Sequence, residues 1–102
     1  MGVVGVVGVV HLDLHVPGSA SLKAKRGPVK SLIARLRNDL HVAVAEVAHQ
    51  DTWQRCGLLV AIAAGSELGV RKVADAVDEI ARSDPRMDLL DASLEVWYPE
   101  GR

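Results

Sequence analysis

Phenylalanine is absent from this chain, and aromatic residues make up only 3% of its 102 positions. A core of this composition must be assembled from Val, Leu, Ile and Ala, and the usual aromatic pair of an RNA-reading sheet has no candidate beyond Trp53, Trp97 and Tyr98. Sequence-specific reading of single strands is therefore disfavoured. Cysteine occurs once, as Cys56 within the apolar run CGLLVAIAA. An internal disulfide is excluded, and a reducing, cytoplasmic setting is expected. No apolar run approaches the length of a bilayer. MGVVGVVGVV has no leading base and meets His11, Asp13 and His15 after ten residues, so neither export nor membrane association is expected.

Net charge is also nearly absent, at −1, but it is unevenly distributed. Residues 1–55 carry seven Lys and Arg against four Asp and Glu, and residues 56–102 carry five against nine. Partners respond to this segregation rather than to the total. The length suits one domain over residues 1–102 with a single core, and no linker or low-complexity tract divides it.

The order of elements follows from periodicity. Residues 3–16 predict a strand, continuous in Val at first and then alternating, with Val10, Leu12 and Leu14 on one face and His11, Asp13 and His15 on the other. Its glycines are expected to admit close packing. Leu22, Val29, Leu32, Ile33, Leu36 and Leu40 then recur at helical spacing. Gly27-Pro28 interrupts this segment, which either kinks there or starts with Pro28 in its first turn. Runs 42–49 and 55–64 form a predicted hairpin. Ser66 caps a second helix with a stripe of Val70, Val73, Ala74, Val77, Ile80 and Ala81, ended by Ser83-Asp84-Pro85. A last strand near 87–98 places Leu90, Ala92, Leu94 and Val96 on one side. The resulting βαββαβ order predicts a ferredoxin-like two-layer sandwich, with a four-stranded antiparallel sheet and both helices on one face. The other face should be partly polar.

Three constellations bear on function. In AEVAHQDTWQR, Glu46, His49 and Asp51 are acid and base types, but no nucleophile with an adjacent base accompanies them. Turn chemistry explains the segment better: Gln50 and Asp51 sit at the bend, Asp51 is placed for an Asx-turn onto Trp53, and Trp53 with Arg55 form a candidate partner contact. The alternating His11 and His15 lie roughly 13 Å apart on a strand, too far to share one ion, so no metal or cofactor is expected. The third constellation is basic. Segment 21–40 holds six bases against Asp39 alone, and Lys23, Lys25 and Arg26 stand in the first turns, where the helix dipole disfavours cations. Lys30 and Arg37 continue the outward side of Lys23 and Arg26. These five form a candidate anion- or RNA-binding surface, against the competing reading of an ordinary solvated helix face. The Walker spacing Gly-x4-Gly-Lys-Ser/Thr is missing.

Two blocks carry a resemblance. Leu14, His15, Pro17, Gly18, Ser21, Leu22, Lys23, Lys25 and Arg26 form the first; Ala45, Glu46, Gln50, Asp51, Trp53, Gln54 and Arg55 form the second. Together they resemble the YlxP-like family of small bacterial proteins of unassigned function, over about Val3 to Leu94. The resemblance implies a ferredoxin-like fold and a gene neighbourhood shared with a translation initiation factor and a ribosome-binding factor. It brings no established catalytic residues. Gly27-Pro28 stands where that family usually continues an unbroken helix. The expectation is a non-enzymatic binding protein contacting ribosomal RNA or a ribosome-associated protein, with a homodimer paired through the open sheet face or an edge strand as the alternative.

Overall fold

In the computed structural model, residues 5–99 are described. The elements are β1 (Val6–His15), α1 (Leu22–Leu40), β2 (Ala43–Ala48), β3 (Arg55–Ala64), α2 (Glu67–Ser83) and β4 (Asp88–Trp97). The strands form one antiparallel sheet in the order β2-β3-β1-β4. This is the ferredoxin-like arrangement that the periodicity predicts. The part of the first predicted strand that falls on residues 3–4 lies outside the described residues.

Each helix lies on the sheet through its apolar stripe. Val29, Leu32 and Leu36 of α1 and Val70, Val77 and Ala81 of α2 are buried against Val10, Leu12 and Leu14 of β1 and Leu58, Val60 and Ile62 of β3. At ~1.5–3 kcal/mol for each aliphatic side chain removed from water, this cluster is the main favourable term in folding. Ser21 caps α1 by accepting from the Ala24 N–H at 3.0 Å, and Ser66 caps α2 by accepting from the Gly69 N–H at 3.0 Å. Helix α1 therefore starts before Gly27-Pro28 and runs through Pro28. The early start brings the Lys-x-Lys-Arg segment into the helix.

Two irregularities shape the sheet edges. The β1–β4 register shifts so that Asp13 faces Asp91 while Leu14 faces Leu89, and Leu90 is the extra residue. Leu90 is consequently 52% exposed, and Leu89 takes the inward place expected for Leu90. Strict alternation does not survive a bulge. A second shift, between Glu46 and Ala48, brings β2 close to Gly57, where an added Cβ would stand 2.7 Å from the Ala48 Cβ. Beyond α2, Asp84 is buried and accepts from the Arg86 backbone N–H, Nε and Nη2, while Arg86 also donates to Ser31 of α1. The Arg86 guanidinium holds the Asp84 carboxyl below its usual range.

Gly8 is where β1 and α2 meet most closely: a Cβ there would lie 2.3 Å from Val70 Cγ1 and 3.4 Å from Leu94 Cδ1. Gly8→Ala should cost ~1–3 kcal/mol in a denaturant titration, the usual range for overpacking. Adding Val70→Ala makes room, so the double variant should be destabilised by less than the sum of the two single changes. Additive losses would place the cost of Gly8→Ala elsewhere.

Candidate functional site

The two sequence blocks converge on one side chain. Lys25 lies on the buried stripe of α1, three residues after Leu22 and four before Val29, and is only 3% exposed. Its ammonium has three donors and three partners. Nζ donates to the His49 carbonyl at 2.7 Å and the Thr52 carbonyl at 3.0 Å, and lies 2.9 Å from Glu46 Oε2. The contact with Glu46 is an ion pair by distance, without the angles of a directed hydrogen bond. Glu46 follows Val44 on the inward side of β2, which aims its carboxylate at the helix.

This ammonium organises the β2–β3 turn. His49 adopts a left-handed backbone, φ 60°, and its carbonyl also accepts from the Thr52 N–H at 3.1 Å. Gln50 Nε2 donates back to the Glu46 carbonyl at 3.2 Å, and Gln54 Nε2 donates to the Ser19 carbonyl at 3.4 Å. The Val16 N–H donates to the Gln54 carbonyl at 2.9 Å, tying the exit of β1 to the same turn. Cys56 is fully buried on the inward face of β3. Burial first, and then the negative charge of Glu46, push its thiol up to about 12, with Lys25 opposing. The sulfur stays protonated and unreactive in the folded chain.

Lys25 and Glu46 also line a cleft of about 530 Å³ between α1 and the turn. Leu22, Val29 and Ile33 give it an apolar side, Arg26 and Lys30 rise along the helix, and Gln50 and Asp51 stand on the turn opposite. Lys23, Arg26 and Lys30 are exposed, and among the described residues none of them has a carboxylate within ion-pair distance.

The family model described as "Protein of unknown function (DUF503)" matches residues 7–94. This chain belongs to the DUF503 family. It is 28% identical over 92 residues to the uncharacterized protein YlxP of Bacillus subtilis (strain 168), covering 90% of this chain and 99% of that protein. Among solved structures it is similar to a de novo designed protein with a ferredoxin fold, LFR1 1, with a TM-score of 0.52 at 11% identity over 90% of this chain and 83% of that one. The latter likeness concerns fold alone.

In this DUF503 chain the predicted surface of five bases reduces to three. Lys25 is a buried internal ion and does not face solvent. Arg37 is exposed but donates to the Val44 carbonyl at 2.6 Å, so it secures the start of β2. Arg55, expected to greet a partner, is half-buried and forks onto both oxygens of Asp13, at 2.8 and 2.6 Å. Trp53 is 53% exposed on the turn. The expected Asx-turn of Asp51 does not form: among the described residues, the turn is closed by the Lys25, Gln50 and Thr52 bonds instead. On the open face, His11 lies 3.5 Å from Glu95 and His15 lies 3.4 Å from Asp88. No group of three or more His, Cys, Asp or Glu among the described residues could hold a metal. The role of Lys25 and Glu46 was missed, although both stand at inward phase on their elements.

Lys25→Met keeps the apolar stem but leaves Glu46 and two carbonyls without their cation. It should cost ~3 kcal/mol by chemical denaturation. Adding Glu46→Gln should restore part of that loss, whereas equal loss in both variants would show that the ion pair is not the source. The raised Cys56 pKa favours the folded state below the thiol's ordinary value of 9.0, and that advantage fades as pH rises towards 12. Cys56→Ala should therefore flatten the decline in stability above pH 9, measured by thermal melts.

Proposed function

We propose that this protein is a non-enzymatic binding protein that contacts the phosphate backbone of a structured RNA through Lys23, Arg26 and Lys30. The observation that carries this reading is the unpaired basic stripe itself. Three exposed cations, spaced at i, i+3 and i+7, stand on the first turns of α1 with no acidic residue in its first turn. Lys23, in the first turn, opposes the helix dipole by ~0.3–1 kcal/mol, and a polyanion reverses that penalty. The cleft beside Arg26 and Lys30 lets a phosphate chain approach the helix from the side of the turn.

Ribosomal RNA is the proposed ligand because the resemblance to the YlxP-like family implies a gene neighbourhood of translation factors. A cytoplasmic setting goes with it. Among the described residues no helix is long and apolar enough to cross a membrane. A non-enzymatic role is supported by the depth of Cys56, which keeps its thiol from solvent, and by the use of Glu46 as the counter-ion of Lys25.

Small-subunit ribosomal RNA should bind the purified chain with an affinity that falls as salt rises, with a log–log slope near −2 to −3 for about three phosphate contacts. Lys23→Glu, Arg26→Glu and Lys30→Glu combined should leave the melting temperature within a few degrees of wild type and abolish that binding in a filter or anisotropy assay. Undiminished binding by the triple variant would remove α1 from the interface.

A further inference from the structure

We infer that the cleft between α1 and the β2–β3 turn receives one unstacked guanine of the RNA, with Asp51 reading its Watson–Crick edge. This inference rests on the proposed contact of Lys23, Arg26 and Lys30 with the RNA backbone and adds a base to it. Its starting point is charge that the fold leaves unused. Arg26 and Lys30 line the cleft along the helix, and Asp51 lines it on the turn. All three are exposed, and among the described residues none of their side chains makes a hydrogen bond or an ion pair. Asp51 is not needed to close the turn, which the bonds of Lys25, Gln50 and Thr52 hold.

Free bases on one side and a free acid on the other do not suit a ligand of one sign. Phosphate inside the cleft would be repelled by Asp51, and an arginine or lysine side chain by Arg26 and Lys30. The lining suits a molecule that is anionic at one end, flat and apolar in its body, and equipped with neutral N–H donors at the other end. A nucleotide has those three parts. Its phosphate stays with Arg26 and Lys30, and its base lies on the side formed by Leu22, Val29 and Ile33, since extruded bases pack on apolar as well as aromatic side chains. The volume of about 530 Å³ falls within the ~300–1,000 Å³ usual for small-ligand clefts. Guanine is the base whose edge fits a carboxylate. Its N1–H and its exocyclic amino group stand side by side as neutral donors, and an ionised carboxylate accepts from both at once. In adenine and cytosine the amino group adjoins a ring-nitrogen acceptor, and in uracil the N–H lies between two carbonyls, so in each an acceptor would face a carboxylate oxygen. Gln50 Nε2 is used on the Glu46 carbonyl, which leaves its side-chain oxygen as a further acceptor on the same side.

Hairpin RNAs that differ only in a single bulged nucleotide, G, A, C or U, titrated against the full chain by fluorescence anisotropy at one moderate salt concentration, test this. The G bulge should bind about tenfold more tightly than the A bulge, within the span of discrimination that a bidentate base contact supplies. Inosine, which keeps N1–H and lacks the amino group, should fall between them. Asp51→Ala, at an exposed position without side-chain bonds, should melt like wild type and lose the preference by weakening the G bulge alone. If Asp51 acts only through its charge, the same variant raises affinity for all four hairpins alike, and that result overturns the inference. Equal binding of all four by the wild type also overturns it and leaves the backbone contact of α1 standing, whereas a chain that binds none of them removes both.

Discussion

The structure turns on one buried cation. Removing an ammonium from water costs several kcal/mol, and in Lys25 that cost is offset only because a carboxylate and two carbonyls converge on it. The three partners belong to one strand and the turn that follows it, while the cation belongs to the helix that precedes them. The ion therefore fixes the distance and angle between α1 and β2, which lies at the edge of the sheet. It also explains the conformation of the turn. The left-handed backbone of His49 keeps its carbonyl inward, within reach of both the ammonium and the Thr52 N–H.

From that constraint the surfaces follow. With Lys25 spent internally and Arg37 tied to β2, Arg26 and Lys30 are the exposed bases of α1 that border the cleft. The opposite side of the molecule is the bare sheet, where strand alternation alone decides what solvent meets. Helix chemistry and sheet chemistry are thus separated by the thickness of one layer.

Much of this architecture was legible in the chain. The stripes of both helices, Ser66 as a cap and the alternation of β1 each state a period, and a period is a local property. The bulge at Leu90 was not legible, because an extra residue in one strand is defined only against its partner, and nothing in DLLDASLEVW marks which leucine faces inward. The site was half legible. Lys25 and Glu46 fall at inward phase on their stripes, so their burial could have been inferred from spacing. The habit of reading every lysine as surface hides that signal.

By itself, then, the sequence determined the element types, their order, the layer architecture and the supply of positive charge in the first helix, because these depend on near neighbours along the chain. Only the tertiary structure decided which of those charges face solvent. Whether a lysine serves a partner or its own fold depends on acceptors that lie 21 to 27 residues away in sequence and meet it only once the hairpin has closed.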